Sequence, residues 1–190
     1  GLAVASGAVQ ATIGAGGFTH GLTYSHHVVG AAAGRAVLRV LRERRLVEAS
    51  ATQGKRLQAG LEARLGGHRH VGDIRGLGLM VAVELVADRA TKAPFPRALR
   101  VTERTMAAAH DRGLLLYSST GCADGVNGDL VMLGPPLVAT DAEIDEMVEL
   151  TTTAVEAVAS ESGGPEGERR GPRSPHANPA GAEGREPVGP

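Results

Sequence analysis

Apolar residues early in the chain recur every three or four positions, which is the period of an α-helix. They predict one helix over 28–46 and a second over 49–65. Arginines gather on the face of the first helix opposite its valines and alanines, and Ser25 is the candidate N-cap. The second helix carries leucine at every fourth position and stops at a glycine pair. Its leucines are Leu57, Leu61 and Leu65.

From residue 71 onward the period shortens to two, which predicts neighbouring strands over 71–75 and 77–86. A capping box at Thr140 and Glu143 then predicts a last helix. The elements between them are a helix over 97–112 and short strands over 114–117 and 129–133. The order α-α-β-β-α-β-β-α predicts an α/β fold, with a small mixed sheet covered by helices as in an α+β domain.

The two ends of the chain have a different composition from the middle. Residues 1–22 are rich in glycine and carry no charged side chain. They predict a strand over 1–4, a short helix over 6–13 and a loop over 14–21, and such a start leads us to expect further sequence before Gly1. Residues 160–190 are rich in glycine, proline and charge, so they predict a disordered tail.

Composition excludes several classes of protein. The chain has 190 residues, with 20 Lys and Arg against 21 Asp and Glu. This balance gives no reason to expect a polyanionic partner, and the absence of Trp argues against a single-strand nucleic-acid binder. The single cysteine, Cys122, excludes a disulfide framework. No apolar run suits a membrane span or a signal peptide, so we expect a cytoplasmic protein.

Three candidate sites fail on their sequence context. His68 and His70 have metal-ligand spacing, but no cluster of further ligands accompanies them. The Gly-Leu-Gly that ends at Gly78 is followed by a predicted strand, whereas a dinucleotide site needs a helix there. The two lysines, Lys55 and Lys92, lie on a polar helix face and in a loop, where neither is desolvated enough to act as a nucleophile.

Thr23 lies between a glycine-rich loop and the start of the first long helix. A hydroxyl beside free backbone amides suits an anion such as a phosphate. The same residue, together with Ser25, also suits a helix cap. Because caps are common and phosphate sites are rare, composition by itself favours the cap.

Four motifs, in order, resemble one known family. The first is Gly-Gly-Phe-Thr-His-Gly-Leu-Thr-Tyr-Ser-His-His over 16–27, with Gly-Ala-Ala-Ala-Gly after it. The others are Val-Gly-Asp-Ile-Arg-Gly-Leu-Gly-Leu-Met over 71–80, Pro-Phe-Pro over 94–96, and Pro-Pro-Leu with Thr-Asp-Ala-Glu-Ile-Asp-Glu over 135–146. Together they make residues 1–159 similar to the later part of class III aminotransferases, which are pyridoxal-phosphate enzymes of fold type I.

The resemblance implies roles for particular residues. Thr23 is expected to bind the phosphate of pyridoxal 5′-phosphate held by the partner subunit of a homodimer. Leu22 is expected as a further cofactor-binding residue and Gly21 as a substrate-binding residue. The resemblance also implies an organisation of the chain, with the end of the large cofactor domain at 1–27, an interdomain helix at 28–46, a C-terminal small domain at 47–159 and the tail at 160–190.

The sequence departs from the family pattern at three points. Val28 replaces the proline that usually begins the helix. Residues 122–129 contain no arginine, so no anchor for a substrate carboxylate is assigned. The lysine that binds the cofactor covalently is expected before Gly1, and neither Lys55 nor Lys92 matches it.

The expected function is the transfer of an amino group between an amine or amino acid and a keto compound, with this chain inactive by itself. The catalytic lysine is not among its residues, and no other catalytic residue or metal site is assigned. One alternative is a non-catalytic remnant that acts as a folding or dimerisation module. Another is an aminomutase or racemase of the same family, which shares the surroundings of Thr23.

Overall fold

The computed structural model describes residues 4–17 and 21–162, with side chains as far as Ser160. It contains five α-helices and four strands in these ranges. The helices are α1 (Gly7–Ala15), α2 (Val28–Glu43), α3 (Leu46–Leu65), α4 (Val101–His110) and α5 (Asp141–Ser162). The strands are β1 (Val71–Leu77), β2 (Met80–Leu85), β3 (Tyr117–Thr120) and β4 (Asp129–Leu133).

The four strands form one sheet in the order β1-β2-β4-β3. Its strands, predicted to be of mixed direction, pair antiparallel in all three ladders. The predicted α/β fold, with a small sheet under packed helices, is confirmed. Helices α3, α4 and α5 pack on the sheet or on each other.

The core lies between the sheet and these helices. The leucine repeat of α3 is fully buried, as are Val81, Val83 and Val131 of the sheet. Helix α5 contributes an apolar face to the core, with Met147 at its edge. The fully or largely buried members of that face are Ile144, Val148, Val155 and Val158. Burial of these side chains is the main favourable contribution to the stability of this region.

Helix α5 begins as its sequence predicts. The Thr140 hydroxyl accepts a hydrogen bond from the Glu143 amide at 3.3 Å, and the Glu143 carboxylate accepts one from the Thr140 amide at 2.7 Å. These two bonds satisfy amides that the helix leaves without internal partners. The helix runs on to Ser162, so residues 160–162 of the predicted disordered tail are helical. The rest of that tail lies outside the described residues.

Three elements begin later than predicted. Strand β2 begins at Met80 and not at residue 77, because β1 extends to Leu77 and Gly78, with a φ of 56°, lies in the turn between the two strands. The helix predicted over 97–112 is a 3₁₀ turn at Arg97–Leu99 followed by α4, because Arg100 has a left-handed φ of 50°. The strand predicted over 114–117 begins at Tyr117, because Leu114 is buried in a cluster between α4 and α5. Leu114 and Ala154 of α5 are distant in sequence, and the local spacing of apolar residues does not reveal that they pack together.

The N-terminal predictions meet the structure in part. The short helix is present as α1, with Ser6 as its N-cap, and it includes two residues that were predicted as loop. Val4 is not in a strand, and the rest of the strand predicted over 1–4 lies outside the described residues. Of the described helices, none is long and apolar enough to cross a membrane.

Candidate functional site

The three residues expected at a cofactor site share one exposed turn directly before α2. Gly21, Leu22 and Thr23 are all exposed, Leu22 with 68% of its surface accessible. The Ser25 amide donates a hydrogen bond to the Leu22 carbonyl oxygen at 2.9 Å, and the Leu22 amide donates one to Ser25 Oγ at 3.2 Å. These two bonds close a ring around Thr23 and Tyr24. We call residues 21–27 the Thr23 turn.

The N-cap of α2 is His27, so the prediction of Ser25 at that position is wrong. His27 Nδ1 accepts a hydrogen bond from the Gly30 amide at 3.1 Å. The Ser25 oxygen accepts a hydrogen bond from the Leu22 amide instead. A histidine accepts at Nδ1 only when that nitrogen carries no proton, so His27 in this role has its proton on Nε2.

The Thr23 hydroxyl has no hydrogen-bond partner within residues 4–17 and 21–162, and its side chain is exposed. It therefore does not cap α2, which was the role that composition favoured. A hydroxyl both donates and accepts hydrogen bonds, and the first amides of a helix have no internal acceptors. Thr23 thus carries an exposed hydroxyl a few residues before α2, and a hydroxyl together with the amides of a helix start is a combination that suits a phosphate group.

The backbone of the turn includes one residue in an unusual conformation. His26 has a φ of 61°, in the left-handed region that residues other than glycine rarely occupy. The ring of Tyr24 meets the ring of His27 edge to face, with centroids 6.0 Å apart. Sequence reasoning missed the roles of Ser25 and His27. The position of His27, a polar residue immediately before the first apolar residue of the helix, was the signal that would have indicated the N-cap.

The other sequence candidates have structural roles. His70 Nδ1 lies 3.1 Å from the carbonyl oxygens of Val86 and Ala87, and its backbone amide donates to His68 Nδ1 at 3.2 Å. Burial is the main reason that the pKa of His68 lies below its usual value. No group of three or more His, Cys, Asp or Glu suited to a metal ion occurs among the residues that the structure describes.

The remaining nucleophile candidates lie outside the Thr23 turn. Lys55 is exposed on α3, and Lys92 Nζ donates to the carbonyl oxygen of Gly72. The Cys122 thiol is exposed. Gly21, Leu22 and Thr23 are adjacent in sequence and lie on one exposed turn, and their binding roles stay a prediction.

Comparison with known proteins assigns the chain to a family. The family model described as Aminotransferase class-III matches residues 2–155. An uncharacterized aminotransferase, y4uB of Sinorhizobium fredii, is 40% identical over 146 residues, which cover 77% of this chain and 30% of that protein. The diaminobutyrate–2-oxoglutarate transaminase of Halomonas elongata is 37% identical over 139 residues. These residues cover 73% of this chain and 28% of that protein.

Solved structures agree with the sequence comparison. A transaminase from the marine bacterium Virgibacillus superposes with a TM-score of 0.73 at 32% identity, over 83% of this chain and 35% of that one. An (S)-enantioselective omega-transaminase from Thermomicrobium roseum superposes with a TM-score of 0.69 at 34% identity, over 80% of this chain and 33% of that one. The chain spans about a third of the length of these relatives. The resemblance seen in its motifs is confirmed, and the chain belongs to the class III aminotransferase family.

Proposed function

We propose that this chain is part of a pyridoxal-phosphate-dependent transaminase, in which it contributes Thr23 to the site of the cofactor phosphate. Family membership supports the transaminase reaction. The observation that carries the role of Thr23 is its exposed hydroxyl, which has no partner in the described part of the chain and stands before the α2 N-terminus. Leu22 and Gly21, exposed on the same turn, complete the proposed site as cofactor-binding and substrate-binding residues.

The residues of the turn suit the group that they are proposed to hold. A phosphate accepts several hydrogen bonds, and the turn offers one hydroxyl donor together with amides at a helix start. When bound, pyridoxal phosphate supplies the electron sink that amino-group transfer requires. The chain's own contribution is to bind and orient the phosphate. In the proposed homodimer, Thr23 of one protomer reaches the cofactor held by the other.

The substrate of the proposed enzyme is an amine or amino acid paired with a keto compound. The Halomonas relative is named for diaminobutyrate and 2-oxoglutarate, and two rice relatives are named as probable gamma-aminobutyrate transaminases. Their substrates are amino acids and keto acids, and we propose the same broad class here. An aminomutase or a racemase would return the amino group to the same molecule, whereas a transaminase passes it to a second one. Analysis of the products distinguishes these reactions.

The proposal is tested on the full-length protein that contains this chain. Thr23→Ala is expected to weaken pyridoxal phosphate binding by about tenfold or more, because it removes a hydrogen bond to a charged group. Thr23→Ser keeps the hydroxyl and is expected to bind within about twofold of the parent, a difference below the usual size of one hydrogen bond. The measurement is the dissociation constant of the cofactor from absorbance titration, followed by transamination rates at saturating cofactor.

Thr153→Ala on α5 is the matched control. Its hydroxyl is also exposed, and it donates only to the Glu149 carbonyl oxygen of its own helix. Equal affinities for Thr23→Ala and Thr153→Ala would refute the role of Thr23. A full-length protein that neither binds the cofactor nor transfers an amino group would instead support the alternative of a folding or dimerisation module.

A further inference from the structure

The connection between α3 and β1 contains two neighbouring histidine rings. His68 and His70 are both half-buried, and the centroids of their rings lie 5.9 Å apart. The His70 amide donates a hydrogen bond to His68 Nδ1 at 3.2 Å. Because a ring nitrogen accepts only when it carries no proton, this bond requires the neutral form of His68, with its proton on Nε2.

His70 joins this connection to a distant part of the chain. Its Nδ1 lies 3.1 Å from the carbonyl oxygens of Val86 and Ala87, and a carbonyl oxygen accepts only from a protonated nitrogen. The His70 carbonyl oxygen accepts from the Val86 amide at 2.9 Å, and its ring meets the ring of Phe95 with centroids 5.1 Å apart. The residue directly before β1 is therefore tied to the segment that follows β2.

We propose that His68 is an acid-sensitive latch: its neutral ring holds the amide of the residue before β1, and protonation of the ring breaks this bond. A proton on Nδ1 turns the acceptor into a donor, which then faces the donating His70 amide. An amide that loses its acceptor in a half-buried turn lowers stability. The His70 ring is not the switch, because its Nδ1 donates to the two carbonyl oxygens in both the neutral and the charged form.

The charged and titratable groups around His68 determine the direction of the effect. They are Arg69 and His70 on the same connection, Glu156 on α5, and Arg89, which donates to the carbonyl oxygen of Gly66. Burial is the largest cause of the lowered pKa of His68, His70 and Arg69 lower it further, and Glu156 opposes them. A histidine with a lowered pKa contributes its full stability above the pKa of the unfolded chain, about 6.5, and this contribution is lost as the pH falls below that value.

Urea unfolding of the 190-residue chain at about pH 7.5 and about pH 5.5 tests the latch, with His68→Asn beside the parent. Asparagine offers an amide oxygen that accepts a hydrogen bond and does not titrate. In the parent, His68 is expected to raise the unfolding equilibrium constant by up to about tenfold between the two pH values, the limit set by its unfolded pKa. In His68→Asn the rise is expected to be smaller by about twofold to tenfold, with the stability of the parent at the higher pH.

His110→Asn is the matched control. His110 is exposed in the last turn of α4, where a charged histidine favours the helix, so this variant is expected to lose at least as much stability in acid as the parent. A local measurement accompanies the melts. The protection of the His70 amide from hydrogen exchange, measured by NMR, is expected to fall between the two pH values in the parent and to hold in His68→Asn.

Equal pH dependence in the parent and in His68→Asn would overturn the proposal, and so would equal reductions in His68→Asn and His110→Asn. If His68→Asn does not fold, the NMR titration of the parent decides. A His70 amide that keeps its protection while the His68 ring becomes charged would overturn the latch, and one that loses protection in step with that ring would support it. The test needs neither cofactor nor partner subunit, so its result is independent of the proposed function.

Discussion

Helices α2 and α3 follow one another in sequence, and both carry apolar residues at helical spacing, yet only α3 is packed. Leu57, Leu61 and Leu65 of α3 are fully buried against the sheet and α5. In α2, by contrast, Val28 is 78% exposed and Leu38 is 60% exposed, and no residue is buried. The same periodic signal therefore marks which face of a helix is suited to burial, and it does not say whether that face is covered within these residues.

Polar contacts follow the same division. Arg56 of α3 is bonded to Asp141 and Asp145 of α5, which ties the two helices together at their exposed edge. The arginines at 35, 39 and 42 of α2 form no ion pair among the described residues. We conclude that among the described residues 46–160 are held by many contacts between elements, whereas α2 has few such contacts, with α3.

The largest expected difference between the two helices comes from removing one leucine side chain in each. Leu61→Ala is expected to lower the free energy of unfolding by about 2–5 kcal/mol, because it leaves a cavity in the core. Leu38→Ala is expected to change it by less than about 0.5 kcal/mol, because the side chain is already mostly in water. Urea unfolding of the 190-residue chain measures both. Similar losses would show that the Leu38 side chain is packed in solution.

A glycine in each helix offers a comparison of intermediate size. A Cβ atom at Gly54 would lie 2.0 Å from the Gly78 carbonyl oxygen in the β1–β2 hairpin, so Gly54→Ala is expected to cost about 1–3 kcal/mol. A Cβ atom at Gly34 of α2 would meet nothing within 4 Å. Gly34→Ala is therefore expected to stabilise the helical state of α2 by about 1 kcal/mol, because alanine has the higher helix propensity.

The two glycine variants are compared by their melting curves and their helical circular dichroism. Gly54→Ala is expected to lower the melting temperature. Gly34→Ala is expected to raise the helical signal without lowering that temperature. A fall in melting temperature for Gly34→Ala would contradict the exposed position of α2, since it would reveal a contact that the added methyl group disturbs.

The smallest expected effect concerns acid. The hydrogen bond from Arg56 is the main reason that the pKa of Asp145 lies below its usual value. A carboxyl group with a lowered pKa stabilises the fold above the pKa of the unfolded chain, about 3.9, and this contribution is lost as the pH falls further. Asp145→Asn is expected to lower stability slightly at neutral pH and to have no effect near pH 2. Arg39→Gln on α2 is expected to change nothing at either pH, and melts at the two values check both variants.

The sequence placed the Thr23 turn directly before α2 but did not predict the hydrogen bonds inside it. Motif and helix spacing together put Gly21, Leu22 and Thr23 ahead of α2, and the structure joins them in one exposed turn. Sequence reasoning gave Ser25 the cap of α2, which His27 supplies instead. Either side chain is able to cap a helix from its position in the sequence. The structure decides between them because α2 begins at Val28, so that His27, with its extended backbone, is the residue at the N-cap position.

The buried carboxylate of Asp129 shows the same limit inside the core. Its Oδ1 accepts hydrogen bonds from the Thr102 amide at 3.0 Å and from the Thr102 hydroxyl at 2.6 Å, so a residue at the start of β4 satisfies the first turn of α4. The two residues are 27 positions apart in sequence. A capping box is recognisable because its partners are three residues apart, but a cap supplied from another element leaves no such pattern.

The sequence by itself determined the faces of α3 and α5, the β1–β2 pair, the capping box of α5 and the family, because each of these depends on residues close together or on a motif. Only the tertiary structure decided the strand order β1-β2-β4-β3, the later starts of α4 and β3, and the packing of α3 beside an uncovered α2. The physical reason is that local spacing fixes which side of an element is apolar, whereas the free energy of burial is gained only from the particular surface that it meets.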